Sequence, residues 1–266
     1  MLDTAAAARA AAILNDVRTG GTLIDSLPAE LRPADADDAY RIQEAGVAGV
    51  LDTAGGGVPV GRKVGATNPA AQAMLGVSEP FQAQLLSPFV LDSPAEIPGD
   101  DMCMRVMEVE FAFRMGGDTT TDGAAYDAES IRPLIAAVVP AIEIVDSRFT
   151  DWTSVGGLSV IADQGGGGRW VKGAEVTDFA ALDFAGYPVS ISIDGELRES
   201  GSGAAVLGSP LNALAWLANH LAARGQILKT GEYVTTGSCT KPFPAAKGET
   251  AVADFGDLGQ VSVRFT

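Results

Sequence analysis

The chain has 266 residues, 47% of them hydrophobic, which is enough for a substantial core and excludes an intrinsically disordered protein. Its formal net charge of −16 excludes nucleic acid and anionic membranes as partners, because a strongly acidic chain repels both. If the substrate is an acid, the site must therefore supply local positive charge from a metal or a lysine.

The predicted elements begin with two helices. Residues 3–18 are rich in alanine and end at a pair of glycines, and a second helix follows the N-cap Asp35 and ends near residue 52. We expect 1–57 to be an N-terminal helical segment. Its start has neither the basic end nor the apolar run of a signal peptide, and no stretch reaches the roughly 20 apolar residues of a membrane span. These features, together with only two cysteines, predict a cytoplasmic protein with reduced thiols.

From residue 58 onwards, short apolar runs alternate with glycine, proline and aspartate, a pattern typical of strands. The strand-like stretches are 58–67, 89–98, 103–115, 136–147, 159–163, 187–196, 233–238 and 261–266. Helices are predicted over about 127–136 and 211–225, and four glycines at 165–168 predict a short flexible loop. Residues 58–266 are thus predicted to form one catalytic, β-rich domain.

An acidic pair stands on one of these strands. Side chains alternate between the two faces of a strand, so Glu108 and Glu110 point to the same side, while Met107 and Val109 point to the core. Two neighbouring carboxylates repel each other and, when buried, require a cation or a shared proton. From this segment alone, a buried site and an exposed acidic edge strand both remain open.

A third acid, Glu143, interrupts an aliphatic run between Ile142 and Ile144, where an unpartnered carboxylate is unfavourable. If its strand lies beside the Glu108 strand, three glutamates form an all-oxygen site. Such a site suits Mg²⁺ or Mn²⁺, whereas zinc is disfavoured by the single histidine and the distant cysteines.

Lys63 lies between Gly61 and Gly65, which allow close approach of the backbone, and between the apolar Val60 and Val64. It is a candidate counter-charge for a substrate carboxylate or a candidate proton carrier. An ordinary solvated lysine is the alternative.

Taken in order, these segments resemble the hydratase/decarboxylase branch of the fumarylacetoacetase-like superfamily. The resemblance covers roughly residues 35–266 and is carried by the segments 35–43, 61–65, 76–80, 108–112, 140–148, 216–219 and 237–240 and by Pro244. It implies an α+β fold with a mixed β-roll-like core and an N-terminal helical part. It also implies that Glu108, Glu110 and Glu143 bind Mg²⁺ or Mn²⁺, that Lys63 lies in the active site, and that the protein forms a homo-oligomer.

Further candidate site residues lie in or near the segments that carry the resemblance. Glu79 is a catalytic candidate, and the candidates for substrate binding are Arg148, Ser159, Asp163, Thr240 and Lys241. For Arg148, a structural pair with an aspartate is the alternative. The chain departs from the family pattern by carrying Phe81 where an acid is usual, Gln164 in place of asparagine, and Lys241 in place of a small residue. These departures indicate a subfamily with a shifted substrate.

The resemblance implies a lyase that acts on a small 2-oxo acid or its dienol. The leading expectation is hydration of a 2-hydroxypenta-2,4-dienoate-like substrate through a metal-stabilised enolate. Decarboxylation of a 2-oxohex-3-enedioate-like acid uses the same enolate and stays open. So do hydrolysis of an acylpyruvate, which the single histidine on a remote helix disfavours, and a non-catalytic partner subunit that binds 2-oxo acids.

Overall fold

The computed structural model, which describes residues 1–123 and 125–266, has an α+β architecture, as expected from the sequence. The strands are β1 Pro59–Gly65, β2 Phe81–Leu86, β3 Val90–Asp92, β4 Ala95–Ile97, β5 Val106–Met115, β6 Ile135–Val145, β7 Gly167–Lys172, β8 Pro188–Ile193, β9 Glu196–Ser202, β10 Tyr233–Thr235, β11 Phe243–Pro244, β12 Thr250–Asp254 and β13 Gln260–Phe265. The helices are α1 Thr4–Arg18, α2 Ala36–Thr53, α3 Pro69–Leu75, α4 Ala128–Ile131, α5 Gly157–Ala162 and α6 Pro210–Ala222.

The strands form two sheets. The larger has the order β2-β1-β10-β5-β6-β7-β3, with β11 added to one end of β5, and the smaller has the order β4-β13-β12-β8-β9. The long antiparallel pair β5–β6 lies in the middle of the larger sheet. Strand β1 runs parallel to β10, which in turn pairs with β5, so the lysine-bearing strand is two positions from the acidic one.

The apolar face of β5 fills the main core. Met107, Val109, Phe111 and Phe113 are buried there together with residues of the smaller sheet and of α6. The ring of Phe111 meets Phe184 and other aromatic rings edge-on, an arrangement that adds to the stabilisation from area burial. The period-2 alternation predicted for this strand is therefore confirmed, and it leaves the opposite face of β5 for its two glutamates.

The two predicted N-terminal helices are confirmed to within one residue at each end. Each begins at an aspartate N-cap, Asp3 or Asp35, whose carboxylate accepts a backbone N–H of the first turn. Helices α1 and α2 pack together over a second apolar cluster that includes residues of α5. From α2, the Gln43 amide donates to the backbone carbonyls of Gln82 and Ile161, which ties the helix to β2 and α5.

Three predicted elements are wrong: the helix over 127–136, the strand over 159–163 and the glycine loop at 165–168. The helix predicted over 127–136 ends at Ile131, because Pro133 leads into β6 from Ile135 onwards. The stretch 159–163 is helix α5 and not a strand; a short apolar run buried on all sides does not reveal its period.

The glycines at 165–168 are packed and do not form a flexible loop. Gly165 has φ +62°, and a Cβ there would lie 3.0 Å from Cε2 of Phe81 and 3.4 Å from Cε of Lys63. Gly167 already begins β7. The glycines therefore allow the chain to pass close to the lysine.

Within the described residues, both cysteines are free thiols, and no helix is long and apolar enough to cross a membrane.

Candidate metal centre and active site

The register of β5 and β6 brings the three glutamates together. Glu108 lies directly opposite Glu143 in the antiparallel ladder, and Glu110 lies two residues further along the same face of β5. One oxygen of each carboxylate lies within 4.8 Å of the other two. The predicted adjacency of the two strands is confirmed.

The cluster is buried. Glu110 is 0% exposed, Glu143 is 2% exposed and Glu108 is half-buried, so the exposed-edge alternative is wrong. Burial and the neighbouring Glu143 carboxylate together raise the pKa of Glu108 to about 7, although the Lys63 ammonium opposes the shift. Burial, together with the two neighbouring carboxylates, also raises the pKa of Glu110 well above its ordinary value. Protons and cations therefore compete for this site.

Lys63 projects from β1 into the same cluster and is only 3% exposed, so it is not a solvated lysine. Its ammonium forms an ion pair with Oε1 of Glu143 and donates to the carbonyl of Gly165 at 2.9 Å. Burial lowers the pKa of Lys63, but the glutamates, Glu143 foremost, outweigh burial, and the net shift is upward. The side chain is therefore a fixed positive charge at neutral pH.

Glu110 is held by two groups that sequence reasoning missed. The Thr235 hydroxyl, at the end of β10, donates to Oε2, and the backbone N–H of Gly237 donates to the same oxygen at 3.0 Å. Gly237 has φ +105°, and a Cβ there would lie 1.9 Å from Oγ1 of Thr67. The signal in the sequence is Gly237 inside the strand-like stretch 233–238, because a glycine there indicates a bend or a close approach of two backbones.

A divalent cation fits these residues. Among the described residues, Oε1 of Glu110 and Oε2 of Glu143 are buried and have no hydrogen-bond partner. Ionised carboxylates can only accept, so these oxygens need a cation, a proton or another hydrogen-bond donor. Three carboxylates and one ammonium leave a formal charge of −2, which a hard divalent ion balances, and the donors are all oxygen.

A cavity of about 510 Å³ opens onto the cluster. The buried Lys63 and the half-buried Glu108 mark its floor, and the exposed Lys241 marks its mouth. Most of the wall is apolar and comes from α3, β2, β5 and β11. The apolar wall residues include Val64, Ala70, Met74, Leu75, Phe81, Val106, Trp152, Val160 and Phe243. The cavity thus combines a charged floor with an apolar wall that suits the hydrocarbon part of a ligand.

Most of the remaining candidate site residues lie outside the cavity lining. Arg148 is fully buried, and its Nε donates to Oδ1 of Asp163 at 2.6 Å, which matches the structural-pair alternative. Ser159 and Thr240 are also buried. These four residues do not line the cavity, whereas Lys241 does.

Glu79 is exposed and also lies outside the cavity lining. Its Oε2 accepts from the indole N–H of Trp216 at 3.4 Å. Its sequence neighbour Phe81 does line the cavity, as an apolar wall residue. The structure therefore brings Lys63 together with the three glutamates, places Lys241 in the lining of the same cavity as Lys63 and Glu108, and places Glu79 elsewhere.

Comparison with known proteins identifies the family. Residues 67–266 match the fumarylacetoacetate (FAA) hydrolase C-terminal family. The chain belongs to this family. A relative from Pseudomonas putida strain F1, named TodF product hydratase, is 33% identical over 99% of this chain and 98% of its own length. Another, 2-keto-4-pentenoate hydratase 1 of Dechloromonas aromatica strain RCB, is 33% identical over 96% of this chain and 95% of its own length.

A solved member with the same fold is 4-oxalocrotonate decarboxylase from Pseudomonas putida G7, in complex with magnesium and adipate. It superposes with a TM-score of 0.92 at 27% identity and covers 100% of this chain and 99% of its own. The FAA hydrolase fold expected from the sequence is confirmed over the whole chain, including the N-terminal helices.

Proposed function

We propose that this enzyme is a divalent-metal-dependent hydro-lyase that hydrates a 2-hydroxypenta-2,4-dienoate-like acid to the corresponding 4-hydroxy-2-oxo acid. The observation that carries the proposal is the convergence of Glu108, Glu110 and Glu143 beside Lys63, with Glu108 and Lys63 lining the cavity. The relatives named as hydratases support the reaction type, since they align over nearly the whole chain.

We assign the metal site to the three glutamates, with Mg²⁺ or Mn²⁺ as the ion, because an all-oxygen donor set suits both. When bound, the ion supplies a Lewis acid that polarises the 2-oxo group of the substrate. Thr235 and Gly237 hold Glu110 in place by their hydrogen bonds, which would orient this carboxylate as a ligand.

Lys63 positions the acid end of the substrate. Two of its three N–H groups are directed at Glu143 and Gly165, which fixes the ammonium and leaves one donor for a substrate carboxylate oxygen. The apolar wall keeps the site at low dielectric, which strengthens this charge-assisted contact. Among the described residues that line the cavity, Glu108 and Lys241 are the ionisable groups besides Lys63, and these two are the candidates to carry a proton to or from the far carbons.

Decarboxylation is the second candidate, because the solved structure that superposes over the whole chain is that of a decarboxylase. Both reactions need the same charge stabilisation at the 2-oxo group, so the cluster serves either one. Acylpyruvate hydrolysis is less well supported. The single histidine, His220, packs between Tyr40 and Trp216 on α6, outside the cavity lining, and burial together with Arg224 and Arg62 lowers its pKa to about 4.

We also propose that the protein works in the cytoplasm and as a homo-oligomer. The acidic surface and free thiols support the first point. Oligomers are common in the family that the sequence resembles, and light scattering of the purified protein tests the second.

The test is turnover of the dienol, followed by its absorbance with added Mg²⁺ or Mn²⁺, with products identified by mass. Gain of water supports hydration, loss of CO₂ supports the second candidate, and two fragments support hydrolysis. Glu108→Gln should abolish metal binding and turnover. The matched control is Glu44→Gln, because Glu44 is exposed on α2 and lies outside the cavity lining. Metal binding without any turnover would leave only the partner-subunit alternative and overturn the proposal.

A further inference from the structure

A second, smaller cavity meets the Lys63–Glu143 ion pair. Its volume is about 30 Å³, and among the described residues its lining shares only Lys63 with the cavity of about 510 Å³. Glu143 lines the small cavity and not the large one, whereas Glu108 lines the large cavity and not the small one. Because about 10–15 Å³ holds one water molecule, the small cavity has room for about two waters or one small ion.

Two arginines line the small cavity without a carboxylate partner. Arg18, at the end of α1, and Arg169, on β7, both lie over the ring of Phe89, with 5.9 Å and 4.8 Å from Cζ to the ring centroid. Arg18 also donates to the carbonyl of Gly167 at 3.0 Å. Within the part of the chain that the structure describes, neither guanidinium has a carboxylate within 4.0 Å. Two half-buried like charges on one cavity attract an anion.

The aspartates near these arginines are engaged elsewhere. Burial lowers the pKa of both arginines, and burial together with Arg148 lowers the pKa of Arg18 to about 9. Asp163 and Asp146 oppose the shift at Arg18, but both form their ion pairs with Arg148, at 2.6 Å and 3.6 Å. Both guanidiniums therefore stay charged at neutral pH and lack a counter-ion of their own.

Neutral polar groups of the small cavity also lack partners. Among the described residues, the indole N–H of Trp170, which is 1% exposed, has no acceptor, and Oε1 of Gln164, which is 8% exposed, has no donor. The amide of Gln164 is held in this orientation, because its Nε2 donates to the carbonyl of Gln43 at 2.6 Å. A buried polar group without a partner is unfavourable, so a ligand gains by accepting from Trp170 and donating to Gln164.

We propose that the small cavity binds a small planar oxyanion that also carries an O–H donor, for which bicarbonate is the simplest example. Planar oxyanions match the paired N–H groups of a guanidinium, which both arginines offer. The O–H of bicarbonate supplies the donor that Gln164 lacks, and its few atoms suit the volume. This site depends neither on a bound metal nor on the reaction proposed above.

The experiment is calorimetry of the full-length protein with sodium bicarbonate at pH 8, with EDTA present and with ionic strength held constant by chloride. We expect one bicarbonate per chain. Nitrate, which is planar but has no donor, should bind more weakly, and so should the tetrahedral sulfate. Arg169→Met and Trp170→Phe should each weaken bicarbonate binding about tenfold, since the first removes a charge and the second removes only the indole N–H.

Two control variants should keep the wild-type affinity for bicarbonate. Arg9→Met removes an exposed arginine on the same helix as Arg18, outside the cavity lining and without an ion pair among the described residues. Lys241→Met removes a cation of the large cavity. An equal loss in Arg9→Met would mean that net charge alone attracts the anion, which would overturn the proposal.

Three other results would also overturn the proposal. The first is a wild-type protein that binds no bicarbonate, and the second is nitrate that binds as tightly as bicarbonate. The third is a loss of binding in Lys241→Met with none in Arg169→Met, which would place the anion in the large cavity. Urea unfolding of each variant shows whether it is folded, and a folded Trp170→Phe that binds bicarbonate like the wild type would remove the role assigned to the indole N–H.

Discussion

The buried pair of Lys63 and Glu143 predicts a large and specific loss of stability in the Lys63→Met variant. Methionine retains most of the length of lysine and removes the charge, which leaves three clustered carboxylates with no ammonium. Removing one partner of a buried ion pair costs about 3–5 kcal/mol, because the remaining charge stays desolvated. We therefore expect the free energy of unfolding of the metal-free protein at pH 8 to fall by about 3 kcal/mol.

The assay is urea unfolding with EDTA, repeated at pH 5.5 and with saturating Mg²⁺. The loss should shrink at pH 5.5, because the glutamates can then take up protons, and it should shrink with Mg²⁺, because the ion replaces the missing charge. The control is Lys247→Met, which breaks the surface pair with Asp100, whose side chains are 51% and 83% exposed; it should cost less than about 1 kcal/mol. Equal losses in the two variants would refute the reasoning, as would a Lys63→Met loss that ignores both pH and Mg²⁺.

Two further predictions concern the same cluster. Because burial and Glu143 raise the pKa of Glu108 to about 7, the protonated form stabilises the folded, metal-free protein, and this stabilisation should be lost as the pH rises from about 4.5 through 7. The affinity for Mg²⁺, measured by calorimetry, should rise over the upper part of the same range, because the ion competes with the proton. Stability and Mg²⁺ affinity that do not change with pH would contradict this prediction. Gly237→Ala should weaken Mg²⁺ binding and cost about 2 kcal/mol or more, since its Cβ would clash with Thr67 and displace the N–H that holds Glu110. The control is Gly259→Ala, because Gly259 has a similar φ of +99° but no atom within 4 Å of the added Cβ. Equal losses of Mg²⁺ affinity in the two variants would contradict the explanation by the clash with Thr67.

The sequence predicted the parts of the site that depend on periodicity. Alternation along one strand is enough to place Glu108 and Glu110 on the same face, because the side-chain period of a strand is two. An acid inside an aliphatic run marked Glu143 as buried, because burial without a partner is costly. The register that sets Glu143 opposite Glu108 cannot be derived from the sequence, since no local signal fixes which strands pair.

The predictions failed where tertiary contacts decide the local structure. The run at 159–163 is too short to show a helical period, and its packing against α2 determines that it is a helix. The flexibility expected at 165–168 disappears because Gly165 packs against Phe81 and receives the hydrogen bond from Lys63. Likewise, the sequence around Glu79 does not show that its carboxylate contacts Trp216, 137 residues away, and lies outside the cavity lining.

The central claim is that three carboxylates from two paired strands hold one divalent cation, and anomalous diffraction at the manganese edge from crystals grown with Mn²⁺ tests it most directly. The account predicts one strong peak per chain, bonded to oxygens of Glu108, Glu110 and Glu143 and absent from Glu108→Gln crystals. A peak at other residues, or an unoccupied cluster in crystals that bind Mn²⁺ elsewhere, would contradict it.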